Sequence, residues 1–189
     1  MKLTLIRHGI TEGNMRRLFY GSTDLPLLPC SVMQLQRMAE RGHYPEAEHY
    51  YTSGMLRTEQ TFKALYGDLP HGVLSGLREI DFGDFEMKSY EELKDTEAFQ
   101  AWIDGDNEAN ICPGGESGDQ VTARALHALE PIIARGEDTV IVTHGGVIGG
   151  LMQNWFIAEN GRYTFTPEPG TGYTVEFNGK MPVSMKKVP

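Results

Sequence analysis

A chain of 189 residues, 40% hydrophobic and 23% charged, has the make-up of a globular protein long enough to bury its own core. Its formal net charge of −9 excludes a broad nucleic-acid or anionic-membrane face, which needs clustered cations. Any anion it binds must be met by a few arginines and backbone N–H groups gathered in one place.

Residues 1–189 read as one domain, with no internal repeat, low-complexity tract or linker. The short apolar run Leu3–Ile6 predicts a buried strand ended by Gly9. It meets Arg7 and His8 too soon for a signal-peptide core, and no stretch approaches the roughly 18 apolar residues of a membrane span. Cys30 and Cys112 are far apart and lack C-x-x-C spacing, so free thiols and a reducing, cytoplasmic setting are expected. Val32, Leu35 and Met38–Ala39 predict a helix over Ser31–Arg41, followed by a strand at His49–Ser53 and a helix at Leu56–Tyr66. Ser89 with Glu92, and Ser117 with Gln120, are capping boxes; the first opens a short helix and the second a helix to about Ala134. Thr139–Thr143 is a β-branched strand, Gly145 starts a helix, and Tyr173–Phe177 alternates as a final strand.

Strands alternating with helices predict an α/β fold, a three-layer αβα sandwich around a mostly parallel sheet. Ligands of such sheets bind beyond the carboxyl ends of the strands. Two strands end there in a His-Gly turn, Arg7-His8-Gly9 and His144-Gly145-Gly146, and each glycine lets backbone approach a ligand closely. The histidines lack metal-ligand spacing and a completing carboxylate or thiol, so no metal is expected. Neither G-x-G-x-x-G nor a P-loop is present, so no nucleotide cofactor is expected. His43, His49, His71 and His127 lie in polar or mid-helix contexts and are read as non-catalytic.

Arg7-His8-Gly9, followed by Thr11 and Asn14, resembles the signature of the histidine phosphatase superfamily, which includes the cofactor-dependent phosphoglycerate mutases. Five further segments resemble that family in its own order: Gly21 to Leu27, Thr52 to Thr61, Leu77 to Gly83, Pro113 to Ser117, and His144 to Gly146. The resemblance implies a phosphoglycerate-mutase-like fold with a lid-like insertion at about 81–113. It also implies phosphoryl transfer through His8, with no cofactor. Arg7 and Arg57 would neutralise the phosphate, since the guanidinium fork matches two phosphate oxygens. A cation in the first turn of a helix opposes the helix dipole, which independently argues that Arg57 is directed at a ligand. His144 would stabilise the equatorial oxygens, with Asn14, Ser22, Thr23 and Gly145 adding contacts. Glu79 would protonate the leaving oxygen and then activate water, its pKa raised by Phe82 and nearby apolar groups unless Arg78 turns inward. Ser117 is explained by its cap alone, while Phe82, Phe85, Phe99 and Trp102 fall where the family builds its lid and serve either the core or an organic leaving group.

The chain departs from the family pattern at Ile10, at Pro26–Ser31, at Gly54-Met55 and at Met87, where a glycine is common; none of these is a proposed catalytic group. The expected partner is a small phosphomonoester, with no nucleic acid or membrane, and a homodimer is allowed but specified by no feature. The leading expectation is a phosphomonoesterase. An α-ribazole 5′-phosphate phosphatase is the named alternative, on the likeness of Gly21–Leu27. A phosphoglycerate mutase is opposed by the short chain and the acidic Glu86–Asp106 stretch. A non-catalytic phospho-ligand binder is opposed by the presence of Arg7, His8, Arg57, Glu79 and His144 together.

Overall fold

The computed structural model describes residues 1–42, 44–105 and 108–189. Strand β1 (Lys2–Arg7) leads through α1 (Glu12–Met15) and β2 (Leu18–Phe19) to α2 (Pro29–Glu40). Then come β3 (His49–Thr52), α3 (Leu56–Tyr66), β4 (Gly72–Val73), β5 (Lys88–Ser89), α4 (Tyr90–Leu93) and α5 (Glu97–Ile103). The chain finishes with α6 (Gly118–Arg135), β6 (Thr139–Thr143), α7 (Gly145–Phe156), β7 (Gly172–Asn178) and β8 (Met181–Val188). The main sheet runs β4-β3-β6-β1-β7-β8, and β2 and β5 form a separate two-stranded sheet. From β4 to β1 the pairing is parallel, whereas β7 and β8 are antiparallel.

The period-2 alternation of β1 and β6 sorts the core onto the two faces of the sheet. Leu3, Leu5 and Ile141 pack with Val121, Ala125 and Leu129 of α6 and with Val147, Ile148 and Leu151 of α7. Ile6, Val140 and Val142 pack instead with Leu35 of α2 and with Phe62 and Leu65 of α3. Burial on both faces is why these strands read as unbroken apolar runs, and it produces the αβα sandwich predicted from the sequence. Phe85, Leu93, Phe99 and Cys112 form a third, smaller cluster within the segment expected as a lid. Cys112 is buried, Cys30 is exposed, and both are free. Among the described residues no helix is long and apolar enough to cross a membrane.

The short elements α1, β2, β4, β5 and α5 have no counterpart in the reading of the sequence, and two predicted elements have different bounds or places. Helix α2 begins at Pro29 rather than Ser31, because a proline at the first helical position has a preset φ and no N–H to lose. Tyr173–Phe177 is not the last strand, since β8 follows it through a turn at Gly179, φ +59°. Asn178-Gly179 is a hairpin signal, but Pro182 and the exposed lysines of β8 mask its strand character, as suits a sheet edge. His43 lies outside the described residues. His49 pairs with Glu137, His71 with Glu59 and His127 with Glu130, away from the two His-Gly turns.

Candidate active site

Parallel pairing sets Arg7 beside Thr143, so the residues that follow, His8 and His144, emerge side by side at the carboxyl edge. The turn after β1 is held by side chains from two helices. Thr61 of α3 accepts the Gly9 N–H at 2.9 Å, and Ser31 of α2 accepts the Ile10 N–H at 2.7 Å. A Cβ on Gly9 would stand 2.6 Å from the Ser31 hydroxyl, so only glycine allows this closeness. The His8 ring is buried, with Nδ1 2.7 Å from the Gly9 carbonyl oxygen. A carbonyl can only accept, so Nδ1 carries the proton and Nε2 keeps its lone pair.

His144 caps α7, with its ring centroid 5.3 Å from that of His8. Its Nδ1 lies 3.3 Å from Arg57 Nε, and its Nε2 lies 2.8 Å from the Ser53 hydroxyl. Arg57 can only donate, so Nδ1 accepts and the neutral ring donates from Nε2 to Ser53. Thr58 lies 3.1 Å beyond Ser53 and gives its own proton to the Met55 carbonyl, so the chain of donors runs outward from His144. Both ring nitrogens of His144 are thus engaged within the protein.

Arg57 is fully buried. It donates to the Thr23 carbonyl at 3.0 Å and the Gly21 carbonyl at 2.7 Å, and lies 5.2 Å from the Tyr20 ring centroid. Those carbonyls offset the unfavourable placing of a cation in the first turn of α3. Arg7 donates from Nη1 to the Pro167 carbonyl at 2.8 Å, while its Nε is buried without a partner among the described residues. A Cβ on Gly145 would lie 3.1 Å from the Arg7 guanidinium, so glycine lets this cation rest against the N-terminus of α7. A buried, unpaired guanidinium N–H beside a helix N-terminus is suited to an anion.

Glu79 reaches the same edge from the segment after β4. It accepts the Gly146 N–H at 3.0 Å, and a Cβ on Gly146 would stand 2.6 Å from its carboxylate. Arg78 is exposed. Arg124 positions the Glu79 backbone by donating to the carbonyls of Gly76, Arg78 and Glu79, and is held by Glu116 at 2.8 Å. Asn14 forms a capping box with Thr11, and its Oδ1 also accepts from the Tyr20 hydroxyl at 2.8 Å. Ser22 donates from its hydroxyl to Asp81, while the backbone amides of Gly21, Ser22, Thr23 and Phe82 converge on the Glu86 carboxylate. The structure therefore gathers Arg7, His8, Arg57, Glu79, His144 and Gly145. It ties Ser22 and Thr23 to other protein groups and makes Asn14 a cap. Ser53, Thr61, Glu86 and Arg124 escape a reading of the sequence, although Ser53 and Thr61 bracket Arg57 in a segment that carries the resemblance.

Burial, then the charges of Arg57 and Arg7, holds the pKa of His8 well below its ordinary 6.5, against the pull of the Gly9 carbonyl. Burial and Arg57 do the same to His144. Each ring stays neutral in the fold but takes a proton in the unfolded chain below about pH 6.5. Their contribution to stability is intact above that pH and is lost as pH falls below it, until the folded-state pKa is reached. The slope approaches about 1.4 kcal/mol per pH unit for each ring. Thermal melts from pH 7.5 to 5.5 are expected to show a falling Tm, with a shallower fall in His144→Asn. An unchanged slope in that variant would contradict the assignment.

Two neutral imidazoles and two arginines at the carboxyl edge of a parallel sheet suit a phosphoryl group. Residues 3–186 match the histidine phosphatase superfamily (branch 1), and the chain belongs to that family. Phosphoglycerate mutase-like protein 4 of Arabidopsis thaliana is 34% identical over 160 residues, covering 80% of this chain and 70% of that protein. The α-ribazole phosphatase of Shigella flexneri superposes with a TM-score of 0.87 at 25% identity, covering 100% of this chain and 96% of that one. A phosphoserine phosphatase variant of Entamoeba histolytica, solved with phosphoserine, gives 0.80 at 26% identity, covering 97% and 95%. Relatives named for both mutase and phosphatase activity support phosphatase- or mutase-type chemistry and do not select a substrate.

Proposed function

We propose that this protein is a metal-independent phosphomonoesterase that hydrolyses a small phosphorylated metabolite through a phosphohistidine at His8. The observation that carries this reading is the His8 ring, buried beside two arginines and pinned through Nδ1 to the Gly9 carbonyl. Such a ring is neutral, has one tautomer and points a lone pair from Nε2.

In the first step Nε2 attacks phosphorus in line, and the bond to the ester oxygen breaks. Arg7, Arg57 and the N-terminus of α7 hold the negative oxygens. Glu79, entering protonated, gives its proton to the departing oxygen. In the second step the Glu79 carboxylate takes a proton from water, whose oxygen attacks phosphorus as the P–N bond breaks. Inorganic phosphate leaves, His8 is again neutral, and Glu79 is again protonated. When Arg57 turns to the phosphate, His144 becomes a donor to phosphoryl oxygen once its single ring proton has moved from Nε2 to the vacated Nδ1, with the Ser53 hydroxyl then donating to Nε2.

The test is hydrolysis of p-nitrophenyl phosphate in EDTA, together with an alkaline quench after exposure to a 32P-labelled ester. Turnover is expected to survive the chelator, and an acid-labile label should map to His8. Activity that vanishes with chelation, or a label on another residue, would overturn the reading.

A further inference from the structure

Beside Glu79 and Gly146 opens a cavity of about 250 Å³ whose walls are rings from three separate segments: Phe19, Phe82 and Trp102, and Tyr163. Phe19 and Phe82 meet at 5.5 Å between centroids, Phe19 and Trp102 at 5.9 Å, and Phe82 and Trp102 at 6.3 Å. Core packing accounts for Phe85 and Phe99, which are buried. Phe19, Phe82 and Trp102 also pack against the cluster those two rings form, which explains one side of each ring but not the sides that line the cavity beside the proposed general acid, nor Tyr163, which is 67% exposed. Glu79 lines both this cavity and the edge occupied by His8 and His144, so the cavity begins where a leaving group would extend from phosphorus.

Its charge narrows the class of leaving group. Arg162 is the one cation among the lining residues, and its Nη2 lies 2.5 Å from Glu108. With Glu79 and Glu108 both present, a carboxylate on the leaving group would find no uncommitted cation to pay for its desolvation. Two buried donors of the lining, the Trp102 indole N–H and Arg162 Nε, have no hydrogen-bond partner among the described residues. A small shift of either side chain toward the cavity would let a neutral acceptor atom on a bound ring satisfy it, whereas an apolar chain would not.

We infer that the substrate is a phosphomonoester of a neutral alcohol carrying a flat ring, seated between Phe19, Phe82, Trp102 and Tyr163. The inference rests on the phosphatase reading above and names its substrate class. Aromatic walls favour flat rings by edge-to-face and offset contacts as well as by area. An acidic glycerate ester, as used by a mutase, is the kind of substrate this cavity disfavours.

The test compares 2-phenylethyl phosphate, ethyl phosphate and 3-phosphoglycerate on the wild-type protein. The first two release alkoxides of similar basicity, so their ratio reports the ring and not the leaving-group pKa. Burial of the ring is expected to raise kcat/KM about 50-fold over ethyl phosphate, with 3-phosphoglycerate the poorest of the three. Tyr163→Ala and Trp102→Ala should each lower the ratio severalfold, and Tyr163, being exposed, can be removed without opening the core. A wild-type ratio near one, or a preference for 3-phosphoglycerate, would overturn the inference. Hydrolysis of none of the three would instead overturn the phosphatase reading, and calorimetric binding then decides the cavity. Tighter binding of 2-phenylethyl than of ethyl phosphate supports it, and equal Kd values refute it.

Discussion

His8→Ala is expected to lower phosphatase kcat by at least about 10,000-fold, the scale on which loss of a covalent nucleophile is felt when the rest of its site remains. Among the described residues the ring makes one hydrogen bond, to the carbonyl of the next residue, and the turn that holds it is fixed through backbone amides by Thr61 and Ser31. Removing the ring should therefore leave the phosphate cradle standing. Phosphate or vanadate should still bind with a Kd within about tenfold of the wild-type value, because Arg7 and Arg57 are untouched. The measurement pairs steady-state hydrolysis with calorimetric binding of vanadate. Full activity in the variant would end the phosphohistidine mechanism, while joint loss of activity and binding would show that the substitution had collapsed the site.

Glu79→Gln carries the second large expectation, and its signature lies in the time course. Glutamine's oxygen can accept the Gly146 N–H as the carboxylate does, and only the hydrogen bond from the Ile80 N–H is given up, so the local fold should persist. It cannot supply a proton or take one. Ethyl phosphate, whose alkoxide must be protonated as it leaves, should lose about 1,000-fold in kcat. p-Nitrophenolate leaves without help, so the first turnover should be nearly spared. The phosphohistidine would then wait for a water that nothing activates. Stopped-flow absorbance should show a burst of about one equivalent per site, followed by a steady state about 1,000-fold slower than the wild type. Unchanged steady-state turnover of both esters would remove Glu79 from the mechanism.

What the sequence makes legible follows the range of the forces involved. The buried strands β1 and β6 show as apolar runs, and Ser89 and Ser117 show as caps because their partners are three residues away. The six segments carrying the family resemblance locate Arg7, His8, Arg57, Glu79 and His144. Contacts at long range leave no local mark. Nothing near Arg57 announces that its fork closes on the carbonyls of residues 21 and 23. Nothing near Arg124 announces that it holds the backbone of 76–79 from a helix some 45 residues further on. Strand β8 is missed for a different reason: an edge strand has half its surface in water, so the alternation that betrays a buried strand is diluted by lysines and a proline.

The Glu86 carboxylate gathers four backbone amides, three of them from the loop whose carbonyls hold Arg57. The segment that shapes the leaving-group cavity is thereby bolted to the phosphate cradle. A change in this chain that removes the Glu86 carboxylate would loosen both the cavity segment and the loop that holds Arg57. A graft of residues 81–113 from a relative would carry over new selectivity only if it also brought a carboxylate to this position. Without one, the recipient would inherit a new pocket and a slackened arginine together.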